Sequence, residues 1–263
     1  MNTHKNLEGL TALVTGAGRG VGKGIALELA RAGCRVAVNY NSDPSLAEQT
    51  VAEIEKFEVE AFSVRADVGS RADVENMFHQ VTGRFQRLDI LINNAGVQTW
   101  GPLLELSEED WDLVINTNLK GCFLCTQFAA KHMKESGGGA IVNIGSGSNK
   151  LAFPNLVAYT ASKGGIEMCT KVAAVELGPY GIRVNCVAPG AIEIERTKLE
   201  DANYAKTWGD LTPLGRVGTP ADVGRAVVFL ASKDAAYISG QTVWVDGALF
   251  VKPPWPYQRS EES

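Results

Sequence analysis

Residues 11–22 read Thr11-Ala12-Leu13-Val14-Thr15-Gly16-Ala17-Gly18-Arg19-Gly20-Val21-Gly22. A short apolar run leads into a glycine-rich turn, and a helical pattern from Gly22 to Ala32 follows. Glycine lets a backbone turn tightly and come close to a phosphate. The free N–H groups and dipole of a helix N-terminus favour its negative charge. The spacing is G-x-x-x-G-x-G through Gly16, Gly20 and Gly22, not the strict G-x-G-x-x-G. The position after a first strand and before a helix is the context that a pyrophosphate-binding turn needs.

Similar apolar runs recur at Arg35–Tyr40, Glu60–Val64, Leu88–Asn93, Ala140–Ile144, Ile182–Ala188 and Thr242–Val245, and each reads as a buried strand. Segments of helical spacing lie between them: Ser45–Phe57, Arg71–Phe85, Glu108–Glu135, Ala158–Leu177 and Pro220–Ala231. Strict alternation predicts parallel strands joined by crossovers, hence an α/β sheet with helices on both faces. No repeat, low-complexity tract or linker interrupts it, so one domain is expected. Its core runs from about residue 7 to 247, with residues 248–263 as an extended tail. The stretch Lys252-Pro253-Pro254-Trp255-Pro256-Tyr257 reads either as a frayed terminus or as two aromatics that dock on a neighbouring subunit.

The 263 residues carry 25 Lys and Arg against 30 Asp and Glu, a net charge of -5, with 45% hydrophobic residues. This composition belongs to an ordered globular chain. No basic run exists to neutralise a phosphate backbone, which argues against nucleic acid. No run reaches about 18 apolar residues, and Met1–Leu10 lacks a signal-peptide apolar region, so a cytoplasmic protein is expected, away from membranes. Cys34, Cys122, Cys125, Cys169 and Cys186 are scattered and odd in number, unlike a disulfide framework. Cys122 and Cys125 form one C-x-x-C inside the apolar stretch Gly121–Ala130, which reads as core packing. His4, His79 and His132 are far apart, so no metal site is expected.

At the end of a second strand in a dinucleotide fold, an acid accepts from the adenosine 2′-hydroxyl and repels a 2′-phosphate. Here that end is Tyr40-Asn41-Ser42, with no acid before Asp43, while Arg19 in the turn suits a 2′-phosphate. NADP(H) is therefore expected over NAD(H). Asp67 ends the third strand, placed either for the adenine amino group or to cap the next helix. Tyr159 and Lys163 stand four apart on a predicted helix and share one face. An ammonium beside a phenol favours the phenolate and lets it exchange a proton near neutrality. Ser146 follows the fifth strand, at the carboxyl edge where such folds hold ligands, with Ser148 as its nearest competitor. Asn93-Asn94-Ala95-Gly96 reaches the same crevice, and Asn118 follows in the next helix.

This set, T-G-x-x-x-G-x-G, Asp67, N-N-A-G, Ser146, Y-x-x-x-K and Pro189-Gly190, resembles the short-chain dehydrogenase/reductase family over about residues 7–247. The resemblance implies a single-domain Rossmann fold with a seven-stranded parallel sheet in the order 3-2-1-4-5-6-7. It implies a hydride exchanged between a nicotinamide cofactor and a secondary alcohol or ketone. Tyr159 would be the general acid/base and Lys163 would lower its pKa and hold the nicotinamide ribose. Ser146 would orient the substrate oxygen, and Asn118 would anchor a relay water. Gly16, Arg19, Gly20, Val21, Gly22, Tyr40, Asn41, Ser42, Asp67 and Val68 would line the adenosine and phosphate end. Asn94, Ala95, Gly96, Pro189, Gly190 and Ile192 would line the nicotinamide end. Two departures appear: Ile194 stands where many relatives carry threonine, and Gly145 where a serine often precedes the catalytic one.

Residues 191–214 are expected to form a lid over the pocket. The expected substrate-facing groups are Gln98, Trp100, Asn149, Leu151, Glu193 and Trp208, with Phe153 and Glu195 nearby. The polar members suit a sugar or polyol, as in the glucose 1-dehydrogenase branch; the aromatics suit an apolar ketone. A 3-oxoacyl carrier-protein reductase is the main alternative, weakened by the missing basic patch that an acidic carrier needs. A non-catalytic NADP-binding regulator would be expected to lack Tyr159 or Lys163. The resemblance also implies a homotetramer, with Gly121–Ala130 reading equally as a subunit face or a core stripe.

Overall fold

A computed structural model describes residues 6–251. The tail aromatics and His4 lie outside them. Seven strands, β1 (Thr11–Val14), β2 (Arg35–Tyr40), β3 (Ala61–Arg65), β4 (Ile90–Asn93), β5 (Gly139–Ile144), β6 (Ile182–Pro189) and β7 (Thr242–Val245), form one sheet in the order β3-β2-β1-β4-β5-β6-β7. Every pairing is parallel. The expected strand order and fold class are therefore found, with ends shifted by a residue or two.

The period-two alternation of each strand divides the core. Ala12, Val14, Val36, Val38, Ile90, Ile92 and Val142 point to one face. There they meet α1 (Gly20–Arg31), α2 (Pro44–Glu55) and α9 (Pro220–Ala231). Leu13, Ala37, Leu91, Ile141 and Val184 point to the other. They meet α3 (Arg71–Phe85), α5 (Gly121–Glu135) and α6 (Val157–Leu177).

The helix that follows the glycine turn is held by close backbone packing. A Cβ on Gly24 of α1 would lie 2.2 Å from Pro220 Cβ of α9, and one on Gly224 would lie 2.7 Å from Glu28 Cγ. Thr219 and Asp222 cap α9 reciprocally, and Arg216 bonds the Asp222 carboxylate at 2.8 Å. The hydrogen bond from Arg216 acts most strongly, supported by those from Thr219. Against the opposing effect of partial burial, they lower the Asp222 carboxyl from 3.8 to about 2. A depressed folded pKa stabilises fully above the unfolded value and is lost as pH falls from 3.8 through about 2. Asp222→Asn is expected to lower the melting temperature at neutral pH, with a gap to the parent that narrows across that window. Melting curves against pH check this.

Two expectations need correction. The predicted helix Glu108–Glu135 is three pieces: α4 (Glu108–Val114), a π-turn over Ile115–Lys120, and α5. Hydrophobic spacing does not register one extra residue per turn, and π-turns favour functional sites. Within residues 191–214, expected as a lid, the chain forms two short helices, α7 (Glu195–Glu200) and α8 (Tyr204–Leu211). Residues 248–251 are a turn rather than extended, because Asp246 accepts from the Ala248 and Phe250 N–H groups at 2.9 and 3.2 Å. The stretch Gly121–Ala130 is mainly core: Cys122, Leu124, Cys125, Phe128, Ala129 and Ala130 are buried, while Phe123 is exposed. Burial pushes the Cys122 thiol up to about 12 and raises Cys125 further, so both are inert at neutral pH.

Candidate active site

The glycine turn is fastened from both sides. Thr15 Oγ1 accepts from the Asn94 and Ala95 N–H groups at 2.9 and 3.0 Å, and Asn94 Nδ2 donates to the Thr15 and Gly16 carbonyls at 2.9 and 3.1 Å. Buried Asn39 at the end of β2 accepts from Gly16 N–H at 3.1 Å. Gly16 and Gly20 adopt φ of 61° and 56°, the left-handed region that glycine occupies at little cost. Arg19 precedes α1 without a side-chain cap. The first N–H groups of this twelve-residue helix therefore face the crevice with no capping side chain. That fits a dinucleotide pyrophosphate, and Gly20, Val21 and Gly22 would hold it.

At the adenosine end, Arg19, Asn41 and Ser42 are exposed and Tyr40 is half-buried. Asp43 does not face them as a ribose ligand. Its carboxylate accepts from Ser45 Oγ (2.7 Å), Ser45 N–H (3.0 Å) and Leu46 N–H (3.4 Å) as the cap of α2. Those bonds, the Ser45 hydroxyl first, lower its pKa, and the field of Arg19 adds to them. Sequence reasoning missed a second guanidinium here: Arg65 Nε donates to the Asn41 carbonyl at 3.2 Å. The signal was an arginine two positions before Asp67. Asp67 Oδ1 accepts from Gly69 N–H at 2.8 Å, and Ser70, not Asp67, caps α3. The Val68 side chain turns into the core against Gly121, so only its main chain can meet an adenine.

Ser146, Tyr159 and Lys163 converge at the carboxyl end of β5. Lys163 is 4% exposed; its Nζ donates to the Ile144 carbonyl at 2.7 Å and lies 5.5 Å from the Tyr159 ring centroid. An ammonium has three donors, so two remain for the crevice. Ser146 is half-buried and its Oγ accepts from Ser148 N–H at 3.3 Å, whereas the competing Ser148 is 3% exposed. Asn118, in the π-turn, donates to the Val97 carbonyl (2.9 Å) and Ser162 Oγ (3.0 Å) and accepts from Val97 N–H (2.8 Å). Ser162 Oγ donates to the Tyr159 carbonyl at 2.7 Å. The Asn118 amide is thus spent on tying the loop after β4 to the tyrosine helix. Gly96 lies against it, since a Cβ there would sit 3.2 Å from Asn118 Oδ1.

Beyond β6, Gly190 donates to the Val245 carbonyl at 2.9 Å, and a Cβ at 190 would lie 2.7 Å from Asp246 Cα. Ile192 is buried, with its Cδ1 2.5 Å from where a Gly218 Cβ would stand. Its neighbour Ile194 reaches the glycine turn instead, 3.5 Å from a Cβ built on Gly20.

Several polar residues expected to face substrate are engaged elsewhere. Asn149 bonds Ser146 N–H and Glu167, and Glu193 pairs with Lys198 at 2.9 Å. With its amide turned to suit both neighbours, Gln98 accepts from Arg196 at 2.9 Å and from Trp100 Nε1 at 3.0 Å. Trp100 and Leu151 are exposed, and Trp208 stacks obliquely on Tyr204, centroids 6.2 Å apart. Tyr204 was missed as a lid residue. Burial, despite the opposing field of Arg196, pushes its phenol up to about 12. A cleft of about 420 Å³, lined by Gly101, Leu103, Phe153, Pro154, Thr160 and Ala161 among others, flanks α6 and is mostly apolar. Among the described residues no three His, Cys, Asp or Glu side chains gather as a metal site, and no helix is long and apolar enough to cross a membrane.

The family profile described as enoyl-(acyl carrier protein) reductase matches residues 16–249. A 3-oxoacyl-(acyl-carrier-protein) reductase of Staphylococcus aureus is 42% identical over 241 residues, covering 92% of this chain and 98% of its own. A putative gluconate dehydrogenase from Agrobacterium tumefaciens superposes with a TM-score of 0.90 at 37% identity, over 95% of this chain and 99% of that one. A gluconate 5-dehydrogenase from Burkholderia cenocepacia, in complex with NADP and tartrate, gives 0.88 at 35% identity, over 95% and 98%.

Proposed function

Since this chain belongs to the short-chain dehydrogenase/reductase family, we propose that it acts with NADP(H) on a small, free polyhydroxy substrate. It is an oxidoreductase working between a nicotinamide cofactor and a secondary alcohol or ketone. The bound nicotinamide supplies the hydride chemistry. The chain positions the reactants and moves the proton. Tyr159 exchanges that proton with the substrate oxygen, Ser146 Oγ donates a hydrogen bond to the same oxygen, and Lys163 favours the phenolate and uses its free donors on the ribose. Asn118 joins the proton relay through its main chain, because its amide is committed.

One observation carries the choice of a free substrate. All five Lys and Arg residues from 196 to 225 are paired with acids: Arg196 with Glu200, Lys198 with Glu193, Lys206 with Asp210, and Arg216 and Arg225 with Asp222. The lid and the segment after it thus offer no free cationic rim to an acidic carrier protein. The gluconate-acting structural relatives support a polyhydroxy substrate. The apolar cleft beside Thr160 favours a second reading, in which an acyl chain extends from the crevice as in the carrier-protein reductase relative. Turnover of gluconate or other polyols with NADP+, set against 3-oxoacyl thioesters with NADPH, separates the two.

Arg19 and Arg65 flank Asn41 and Ser42 and would bind a 2′-phosphate. A charge-assisted hydrogen bond contributes about 1.5–3 kcal/mol, so Arg19→Ala is expected to weaken NADPH by about 10- to 100-fold and NADH far less. Fluorescence titration of both cofactors checks this, and equal losses refute it. Assembly as a tetramer is also proposed, through exposed Phe123, Met168, Val172 and Val175 on α5 and α6, and through Phe229 and Tyr237 near β7. Light scattering on the purified chain tests it.

A further inference from the structure

Besides the bond from Lys163 to the Ile144 carbonyl, the side chain of Asn149 joins the loop that carries Ser146 to the helix that carries Tyr159 and Lys163. Asn149 Oδ1 accepts from Ser146 N–H at 3.1 Å, and Asn149 Nδ2 donates to Glu167 Oε2 at 3.0 Å. The other Glu167 oxygen, Oε1, accepts from Lys171 Nζ at 2.9 Å, which holds the carboxylate toward Asn149. Glu167 sits one helical turn beyond Lys163 on α6, on the same side of the helix. Both ends of the link therefore belong to elements that place catalytic groups.

The link has room only because residue 145 is glycine. A Cβ there would lie 2.8 Å from Asn149 Nδ2 and 2.8 Å from Cys186 Sγ, closer than real contacts come. The absent side chain at 145 and the amide at 149 are thus two halves of one arrangement.

We propose that Asn149 and Glu167 are positioning residues that fix the Ser146 hydroxyl relative to the Tyr159 hydroxyl, so that both meet one substrate oxygen. This rests on the reading of Ser146 and Tyr159 as catalytic. Neither Asn149 nor Glu167 touches the reacting atoms. The brace acts through the Ser146 main chain, and the hydroxyl follows because it in turn receives the Ser148 N–H at 3.3 Å. A misplacement of about 1 Å in a reacting constellation costs on the order of 10²-fold in rate.

The test compares Asn149→Ala, Glu167→Ala, Glu167→Gln and the double variant Asn149→Ala/Glu167→Ala. Each is assayed with NADP+ and gluconate, or with NADPH and acetoacetyl-coenzyme A, whichever pair the unsubstituted chain turns over. Asn149→Ala and Glu167→Ala are each expected to lower kcat by about 10- to 100-fold, with KM for the cofactor nearly unchanged. The double variant is expected to lose no more than either single, since both break one link. Glu167→Gln keeps an oxygen for Asn149 Nδ2 and is expected to recover most of the rate.

A second readout needs no substrate. Amide exchange across residues 145–151 is expected to rise as much in Glu167→Ala as in Asn149→Ala, although Glu167 lies outside that segment. Unchanged exchange in Glu167→Ala, an unchanged kcat in Asn149→Ala, or losses that multiply in the double variant would each overturn the brace. Tyr159→Phe, run alongside, separates the layers. An active Tyr159→Phe chain overturns the catalytic assignment itself, whereas a dead one beside a fully active Asn149→Ala chain overturns the brace alone.

Discussion

Tyr159→Phe is expected to lower turnover by about 10²–10⁴-fold, the usual weight of a general acid–base group, while NADPH still binds nearly as before. The change removes one hydroxyl and leaves the ring, so packing around α6 is retained. Among the described residues no protein side chain or carbonyl hydrogen-bonds that hydroxyl, so no internal bond is lost with it. Lys163 keeps its bond to the Ile144 carbonyl at 2.7 Å, and the glycine turn lies on other elements. Stopped catalysis with intact cofactor binding and an unchanged melting temperature is the signature of a lost proton donor. Retained turnover would assign the proton transfer to another group.

Gly22→Ala is expected to remove cofactor binding and to cost stability together. A Cβ at 22 would lie 2.4 Å from the Gly16 carbonyl oxygen and 2.4 Å from Asn94 Nδ2. Neither can step aside, because the Asn94 amide holds the Thr15 and Gly16 carbonyls and its N–H is bound by Thr15. Relief of the clash must therefore deform the turn that faces the pyrophosphate. Overpacking of this kind costs about 1–3 kcal/mol. Gly83→Ala is the control: it lies exposed in α3 with nothing within 4 Å of a Cβ. There the substitution is expected to raise stability by about 0.5–1 kcal/mol. Thermal melting and fluorescence titration of both variants check the pair, and a Gly22→Ala chain with normal NADPH affinity would refute the account of the turn.

The sheet was legible because its signals are local. Strands buried on both faces read as apolar runs, alternation with helices compels parallel crossovers, and the motif order completed the strand order. The nearness of Tyr159, Lys163 and Ser146 was legible for a similar reason, since Tyr159 and Lys163 fall on one helix face and Ser146 just past a strand end. What stayed hidden depends on contacts between distant segments. No spacing announces that Asn118 binds Val97 and Ser162, or that Asn149 turns away from the pocket to reach Glu167. Gln98 looked like a substrate ligand because a loop glutamine beside a crevice is usually free; here Arg196 and Trp100 claim it. Arg65 was hidden because its partner is a main-chain carbonyl in the bend after another strand. Asp67 was placed correctly at its strand end, but the capping role belongs to Ser70, three residues on.

The short helices α7 and α8 escaped for a further reason. At six and eight residues they are too short for periodicity to declare, and isolated helices of that length are marginal in water. Tertiary contacts order them, including Ile194 against the glycine turn and Arg196 against Gln98.

This crevice is proposed to transfer hydride between NADP(H) and a small free alcohol or ketone. Steady-state turnover of the purified chain, followed by nicotinamide absorbance with NADP(H) and NAD(H) in parallel, tests it most directly against polyols and sugar acids, cyclic ketones and 3-oxoacyl thioesters. The expected result is turnover of a polyhydroxy substrate with preference for NADP(H), lowered about 10²–10⁴-fold in Tyr159→Phe. No turnover across the panel, with NADPH bound as shown by fluorescence, would contradict it.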